Sequence, residues 1–173
     1  TTTIGNYVFS ECTHLDASFE SNATLQTIGE YAFNKCSSTT AFEIPSTLTS
    51  IGQYAFESSG LQTLSLAANS TLTSIGSAAF SYCSLSSVKI PDSVTIISGH
   101  MFRGNSALTS VMIPVSVTSI GEYAFAYCSS LTSITIPDSV TSIGSCAFDN
   151  CSSLTSITIP NSVTSISDHL FIN

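Results

Sequence analysis

Along the whole chain one apolar pair recurs at a fixed separation, an Ile followed five residues later by a Phe. It occurs as Ile4–Phe9, Ile28–Phe33, Ile51–Phe56, Ile75–Phe80, Ile97–Phe102, Ile120–Phe125, Ile143–Phe148 and Ile166–Phe171. Successive Ile positions are 24, 23, 24, 22, 23, 23 and 23 residues apart, and five of the eight copies read Ile-Gly-x-x-Ala-Phe. Between these pairs lies a second pattern, clearest in Leu131-Thr-Ser-Ile134-Thr-Ile136-Pro137 and Leu154-Thr-Ser-Ile157-Thr-Ile159-Pro160. A period held this regularly marks a repeat architecture before any local reading is made.

One unit reads physically as follows. Ile134-Thr135-Ile136 alternates apolar and polar positions, as a half-buried strand does, and Pro137, which has no N–H for a ladder, ends it. Val140-Thr-Ser-Ile143 predicts a second, shorter extended segment. Gly-x-x-Ala-Phe then predicts a turn, with Gly supplying backbone freedom and one helical or 3-10 turn carrying the chain round. A single unit cannot bury its own apolar side, whereas stacked units form a continuous column of Ile, Leu and Phe. The expected fold is an α/β solenoid with parallel strands on one side and short extended segments and helical or 3-10 turns on the other. Residues 1–173 are expected to form one domain of about seven or eight coils, a rod roughly 35–40 Å long at ~4.8 Å per coil. Neither end shows a polar cap, so the expectation is a piece of a longer array, with an end coil open to stacking on a second copy.

Composition narrows the partners. The 173 residues carry a net charge of −8 with only three basic residues, Lys35, Lys89 and Arg103. That is too little positive charge to neutralise a phosphate backbone, and the same shortage disfavours an anionic membrane surface. No apolar run reaches the ~18–20 residues of a spanning helix, so membrane insertion within this chain is not expected. Ser and Thr make up 57 of the 173 residues, and polarity comes from hydroxyls rather than ions.

Five of the six cysteines, Cys12, Cys36, Cys83, Cys128 and Cys151, sit three residues after the repeat Phe, in a slot that also holds Ser59 and Asn105. Such an exchange points to a small group satisfying the backbone at a turn, a structural column. Disulfides Cys12–Cys36 and Cys128–Cys151 between adjacent coils remain an alternative. Cys146 stands outside the column, where other copies have Tyr54 or Tyr123, and is expected to be an exposed free thiol. A zinc tetrahedron has no place in a single-file column, so no metal is expected.

No catalytic constellation emerges. His100 and His169 share a slot three coils apart, roughly 15 Å, and His14 lies elsewhere. Acidic residues are equally scattered, and paired catalytic carboxylates need ~5–10 Å across a cleft. No calcium loop, phosphate loop or activated hydroxyl appears. The chain is read as non-enzymatic and without a cofactor.

The unit Leu-x-x-Ile-x-Ile-Pro-x-x-Val-x-x-Ile-Gly-x-x-Ala-Phe-x-x-Cys resembles the leucine-rich repeat of the BspA (Treponema pallidum-type) class, and Leu131–Cys151 matches it at every slot. It departs at Ser18, Thr39, Ser167 and Asp168. The resemblance implies a right-handed solenoid with its parallel sheet on the concave side, a location at the cell surface or outside the cell, and, for several members, adhesion to extracellular-matrix, plasma or cell-surface proteins.

On such a scaffold, specificity is expected where the strand varies outward. That column reads Glu43, Ser65, Lys89, Met112, Thr135 and Thr158, beside a small-residue column of Ala41, Thr63, Ser87, Ser110, Ser133 and Ser156. Lys89 and Met112 are the expected hot spots for a protein ligand. Tyr7, Tyr31 and Tyr54 form a second candidate stripe. Rival readings are a structural spacer within a larger surface protein and, on the Ser/Thr ladders, binding to ice or polysaccharide surfaces. Asn22, Asn69 and Asn150 stand in glycosylation sequons.

Overall fold

The computed structural model describes residues 2–16, 24–167 and 169–171. Thirteen strands alternate between two sets. The long set is β3 (Ala41–Ile44), β5 (Thr63–Leu66), β7 (Ser87–Lys89), β9 (Ser110–Met112), β11 (Ser133–Thr135) and β13 (Ser156–Thr158). The short set is β1 (Thr3–Ile4), β2 (Thr27–Ile28), β4 (Ser50–Ile51), β6 (Ser74–Ile75), β8 (Ile96–Ile97), β10 (Ser119–Ile120) and β12 (Ser142–Ile143). Every pairing is parallel, and each residue meets its counterpart in the next repeat: Phe42 opposite Leu64, Val88 opposite Val111, Ile134 opposite Ile157. The chain is a parallel β-solenoid. Its short strands form one sheet of order β1-β2-β4-β6 and a second of order β8-β10-β12.

Stacking in register brings identical side chains together. The repeat Phe residues form one continuous stack from Phe9 to Phe171, with ring centroids 5.0–5.9 Å apart and planes within 20° of parallel. Phe42 packs against it from the long-strand side, 4.8 Å from Phe56 at a tilt of 52°. Around this stack the Leu25, Leu48, Leu72, Val94, Val117 and Val140 column and the Ile column of the short strands are buried. Removing one Phe ring from such a stack costs about 3–5 kcal/mol.

The hydroxyls have a structural use. Each Pro opens a tight turn whose fourth residue donates back to it, as in Val94 N to Pro91 O at 3.0 Å and Val140 N to Pro137 O at 3.0 Å. The Ser before that Val bonds the apolar residue's carbonyl one coil earlier: Ser116 Oγ to Val94 O at 2.7 Å, Ser139 Oγ to Val117 O at 2.7 Å, Ser162 Oγ to Val140 O at 2.6 Å. Thr109, Thr118 and Thr141 do the same for the carbonyls of Ser86, Thr95 and Thr118. Backbone acceptors between coils would otherwise be orphaned, and a short hydroxyl side chain reaches them without thickening the coil. Thr39 follows the same logic: fully buried in a Leu slot, it donates to Leu15 O at 2.8 Å. Ser18 and Asp168 lie outside the described residues.

The turn segment departs from expectation. Among the described residues it contains no helix and no 3-10 turn. Each turn instead carries two left-handed residues four apart, for example Tyr31 (φ 53°) with Lys35 (φ 59°) and Tyr123 (φ 52°) with Tyr127 (φ 62°). A left-handed non-glycine residue costs roughly 1–2 kcal/mol. Its compensation lies between coils. Alternate N–H groups point forward to the next coil, with Tyr31 N to Gln53 O at 3.0 Å, Phe33 N to Ala55 O at 2.7 Å and Lys35 N to Glu57 O at 2.8 Å. A helical turn would direct these donors along its own axis and leave the neighbouring coil unpaired.

The repeat glycine serves close approach rather than φ, since none of the Ile-Gly glycines is left-handed. A Cβ on Gly52 would stand 2.6 Å from Glu30 N, and one on Gly76 2.5 Å from Gln53 N. In one coil the slot holds Ser98, whose hydroxyl bonds Ile75 O at 2.6 Å, the acceptor role that Ile51 O plays toward the Gly76 N–H. The short sheet breaks at this coil, between β6 and β8. Gly99, one position later, would bring a Cβ no nearer than 3.4 Å to Glu122 and 3.8 Å to Ser77 Oγ. Gly76→Ala is therefore expected to destabilise the chain by about 1–3 kcal/mol. Gly99→Ala should stay within about 1 kcal/mol of the parent. Urea unfolding of both variants, read at 222 nm, checks the contrast.

Candidate functional site

The structure places Glu43, Ser65, Lys89, Met112, Thr135 and Thr158 in one outward column of the long strands, all exposed, with Met112 at 65%. Glu43 pairs with Ser65, Lys89 with Met112 and Thr135 with Thr158. The flanking column from Ala41 to Ser156 is exposed and small throughout. Beside Lys89 a corner opens into a 590 Å³ groove bounded by Ala67, Asn69, Ser70 and Asp92. Its origin is local: Leu72 follows Leu66 by six positions where Val140 follows Ile136 by four, and left-handed Asn69 (φ 59°) turns the extra residues outward.

The cysteine column is a set of backbone donors. Cys36 Sγ bonds Phe9 O at 3.0 Å, Cys83 Sγ Phe56 O at 3.1 Å, Cys128 Sγ Phe102 O at 3.3 Å and Cys151 Sγ Phe125 O at 3.2 Å. Asn105 does the same job with its amide, donating to Phe80 O at 2.8 Å. All six thiols are free, with Cys12 exposed. Cys146 is not the exposed thiol its slot suggested: it is buried, beside Ser145 Oγ at 3.6 Å. Among the described residues no three His, Cys, Asp or Glu side chains converge on a metal position.

The densest chemistry lies elsewhere, on the turn edge. All six tyrosines of the chain fall there. Tyr7, Tyr31 and Tyr54 stack at 4.9 and 4.7 Å, Ala78 interrupts the ladder, and His100 stacks on Tyr123 at 5.0 Å. Arg103 sits among three rings, its guanidinium carbon 5.7 Å from the Tyr82 centroid and 5.3 Å from those of Tyr123 and Tyr127. Its Nη1 is 3.5 Å from His100 Nδ1, and its Nε is buried without a partner among the described residues. Burial first, then the Arg103 charge, holds His100 below the usual imidazole value, against the pull of Glu122 3.7 Å away, so the ring is neutral at pH 7. Lys35, by contrast, is paired with Glu11 at 2.8 Å. Sequence reasoning reached the Tyr7–Tyr54 stripe and missed Arg103. The available signal was Gly104, the side-chain-free member of a slot filled by Lys35, Ser58, Tyr82, Tyr127 and Asn150 in other coils. Of the sequons, Asn69 is exposed, Asn150 is half-buried with its amide bonded to Asp149 at 2.8 Å, and Asn22 lies outside the described residues.

Burial pushes the Cys83 and Cys151 thiols up to about 11 from a usual value near 9.0, and Cys128 upward as well. A folded-state value above the unfolded one means the stabilisation is complete below pH 9.0 and is lost as pH rises through about 11. The urea midpoint is expected to hold steady from pH 7 to 8.5 and to fall between pH 9 and 11. In the same range below pH 8.5, a thiol reagent should label Cys12 alone until the chain unfolds. Prompt labelling of several thiols in the native chain would contradict this placement.

Comparison with known proteins agrees with this architecture. A model of the BspA type leucine-rich repeat region matches residues 1–109 and 73–173, in six copies. The fold resembles the crystal structure of a T. pallidum leucine-rich repeat protein, at 28% identity and a TM-score of 0.76, covering 88% of this chain and 71% of that one. It also resembles a leucine-rich repeat protein of Bacteroides ovatus (27% identity, TM-score 0.64, 92% of this chain and 46% of that one). A leucine-rich cell surface protein of Faecalibacterium prausnitzii is similar at 29% identity and a TM-score of 0.56, over 91% of this chain and 42% of that one. The chain thus spans less than half the length of the last two. No curated protein sequence matches it. A repeat unit that recurs with one register, one glycine column and one thiol-donor column, matched over its whole length by one family model, places the chain in the BspA-type leucine-rich repeat family.

Proposed function

We propose that the chain is a non-enzymatic protein-recognition module of a surface-displayed or secreted protein, binding an extracellular-matrix, plasma or cell-surface protein in the manner of an adhesin. The observation that carries this reading is the outward column of the long strands. Lys89 and Met112 stand side by side on paired strands, both exposed, above a flat floor of Ala, Ser and Thr. A charged head and a soft apolar side chain on a small-residue floor give a partner both a steering contact and an area to bury. The similarity to a Faecalibacterium prausnitzii cell surface protein supports the location.

The second reading is a spacer that displays other domains, favoured by the regularity of Thr135 and Thr158, which repeat without variation on paired strands. The Ser/Thr ladder reading weakens on the same face, because Lys89 and Met112 interrupt it and the Thr109 and Thr155 hydroxyls are engaged in inter-coil bonds.

Surface plasmon resonance against immobilised fibronectin, fibrinogen, laminin and collagen tests the proposal. Saturable binding is expected with at least one, weakened about 30-fold or more by Lys89→Glu with Met112→Asp, the equivalent of about 2 kcal/mol for a hot-spot pair. Binding unchanged in the double variant would discard the strand face, and no binding to any of the four would leave the spacer reading.

A further inference from the structure

One coil departs from the repeat at almost every slot of its turn. Residues 97–105 read Ile-Ser-Gly-His-Met-Phe-Arg-Gly-Asn where residues 120–128 read Ile-Gly-Glu-Tyr-Ala-Phe-Ala-Tyr-Cys. The substitutions act together. Gly104 (φ 75°) occupies a left-handed slot that Tyr82, Tyr127 and Asn150 fill without glycine, so backbone conformation does not require it. What requires it is Tyr82: a Cβ on Gly104 would collide with the Tyr82 ring, which lies across the missing side chain. Arg103, beside it, is held by the rings of Tyr82, Tyr123 and Tyr127 and makes no salt bridge among the described residues.

The result is a 560 Å³ groove running along the solenoid over four coils, roughly 14 Å. It is lined by one turn slot, Tyr82, Gly104, Tyr127 and Asn150, by Ser106, Ser129 and Ser152, one hydroxyl per coil, and by Arg103. Tyr82 and Tyr127 are 48% and 42% exposed, and the hydroxyls of the three serines make no hydrogen bond among the described residues, although the Ser106 N–H donates to Gly104 O. Aromatic ring surface for apolar C–H faces, alternating with hydroxyl, amide and guanidinium groups for ring hydroxyls, is the complement of a sugar.

We propose that this turn-edge groove binds a short neutral oligosaccharide, at a site separate from the long-strand face. Charge decides against an acidic glycan: Glu57 lines the same corner as Arg103 and His100, Glu122 lies 3.7 Å from His100, and the chain carries −8 overall. The volume lies within the range of small-molecule sites.

The chain contains no Trp, so its intrinsic fluorescence reports tyrosine directly. The test titrates β1,4- and α1,4-linked gluco-oligosaccharides, manno-oligosaccharides and N-acetyllactosamine, beside sialyllactose and an oligouronate. Expected is saturable quenching by at least one neutral sugar, weakened about tenfold or more in Tyr127→Ala, retained in Tyr127→Phe, reduced in Asn150→Ala and untouched by Lys89→Glu with Met112→Asp. Thermal midpoints of the variants guard against unfolding, and both substituted side chains are at least partly exposed. No neutral sugar bound at millimolar concentration, binding confined to the acidic glycans, or equal affinity in Tyr127→Ala would each overturn the proposal without bearing on the protein-binding face.

Discussion

Backbone hydrogen bonds between equivalent positions of neighbouring coils hold the coils about 5 Å apart, and the rest of the structure is arranged to tolerate that distance. Phe rings at 5.0–5.9 Å and Tyr rings at 4.7–4.9 Å stack because the backbone has already brought them into register. The glycine column exists because a methyl group at that point would enter the previous coil's backbone. The left-handed turn residues exist because only that conformation lets alternate donors face the next coil. Hydrophobic burial supplies most of the stabilisation, but the choice among apolar shapes follows from the spacing.

The same constraint explains the composition. A chain in which a third of residues are Ser or Thr looks like a surface adapted to water, yet many hydroxyls are internal fittings that donate to carbonyls one coil away. The thiols are fittings of the same kind, exchangeable with Asn105 because an amide reaches the same Phe carbonyl. The two proposed recognition surfaces use side chains outside these fittings: the outward strand column around Lys89 and Met112, and the turn edge around Arg103.

How much could be read beforehand follows from the range of each interaction. The strands were legible, because alternation in Ile134-Thr135-Ile136 and the stop at Pro137 are local signals. The core was legible because the Ile–Phe period repeats. The turn was misread as helical since Gly-x-x-Ala-Phe is compatible with a helix taken alone, and the competing partner, the next coil's carbonyl row, is about 22 residues away. Cys146 was misread for a related reason: Tyr54 and Tyr123 suggested an outward slot, whereas a side chain as short as Cys stays beneath the rim. Arg103 was missed because its three ring partners come from the two coils flanking its own, and nothing in a linear reading brings Tyr82, Tyr123 and Tyr127 to one point.

In a solenoid each coil is stabilised chiefly by its two neighbours, so a departure in one coil is felt locally and can be kept if it is useful. The coil from Ile97 to Asn105 bears the largest departures. It carries the broken glycine column, the gap between the two short-strand sheets and the arginine. Regular coils can only repeat a surface; an irregular one can shape it. A missing side chain at Gly104 turns a tyrosine row into a groove, and Arg103, too large for the slot of Ser81 and Ala126, is accommodated because aromatic faces stand where carboxylates would otherwise be needed. The proposed sugar groove would thus be written by interrupting the stack at one coil while its neighbours keep the spacing.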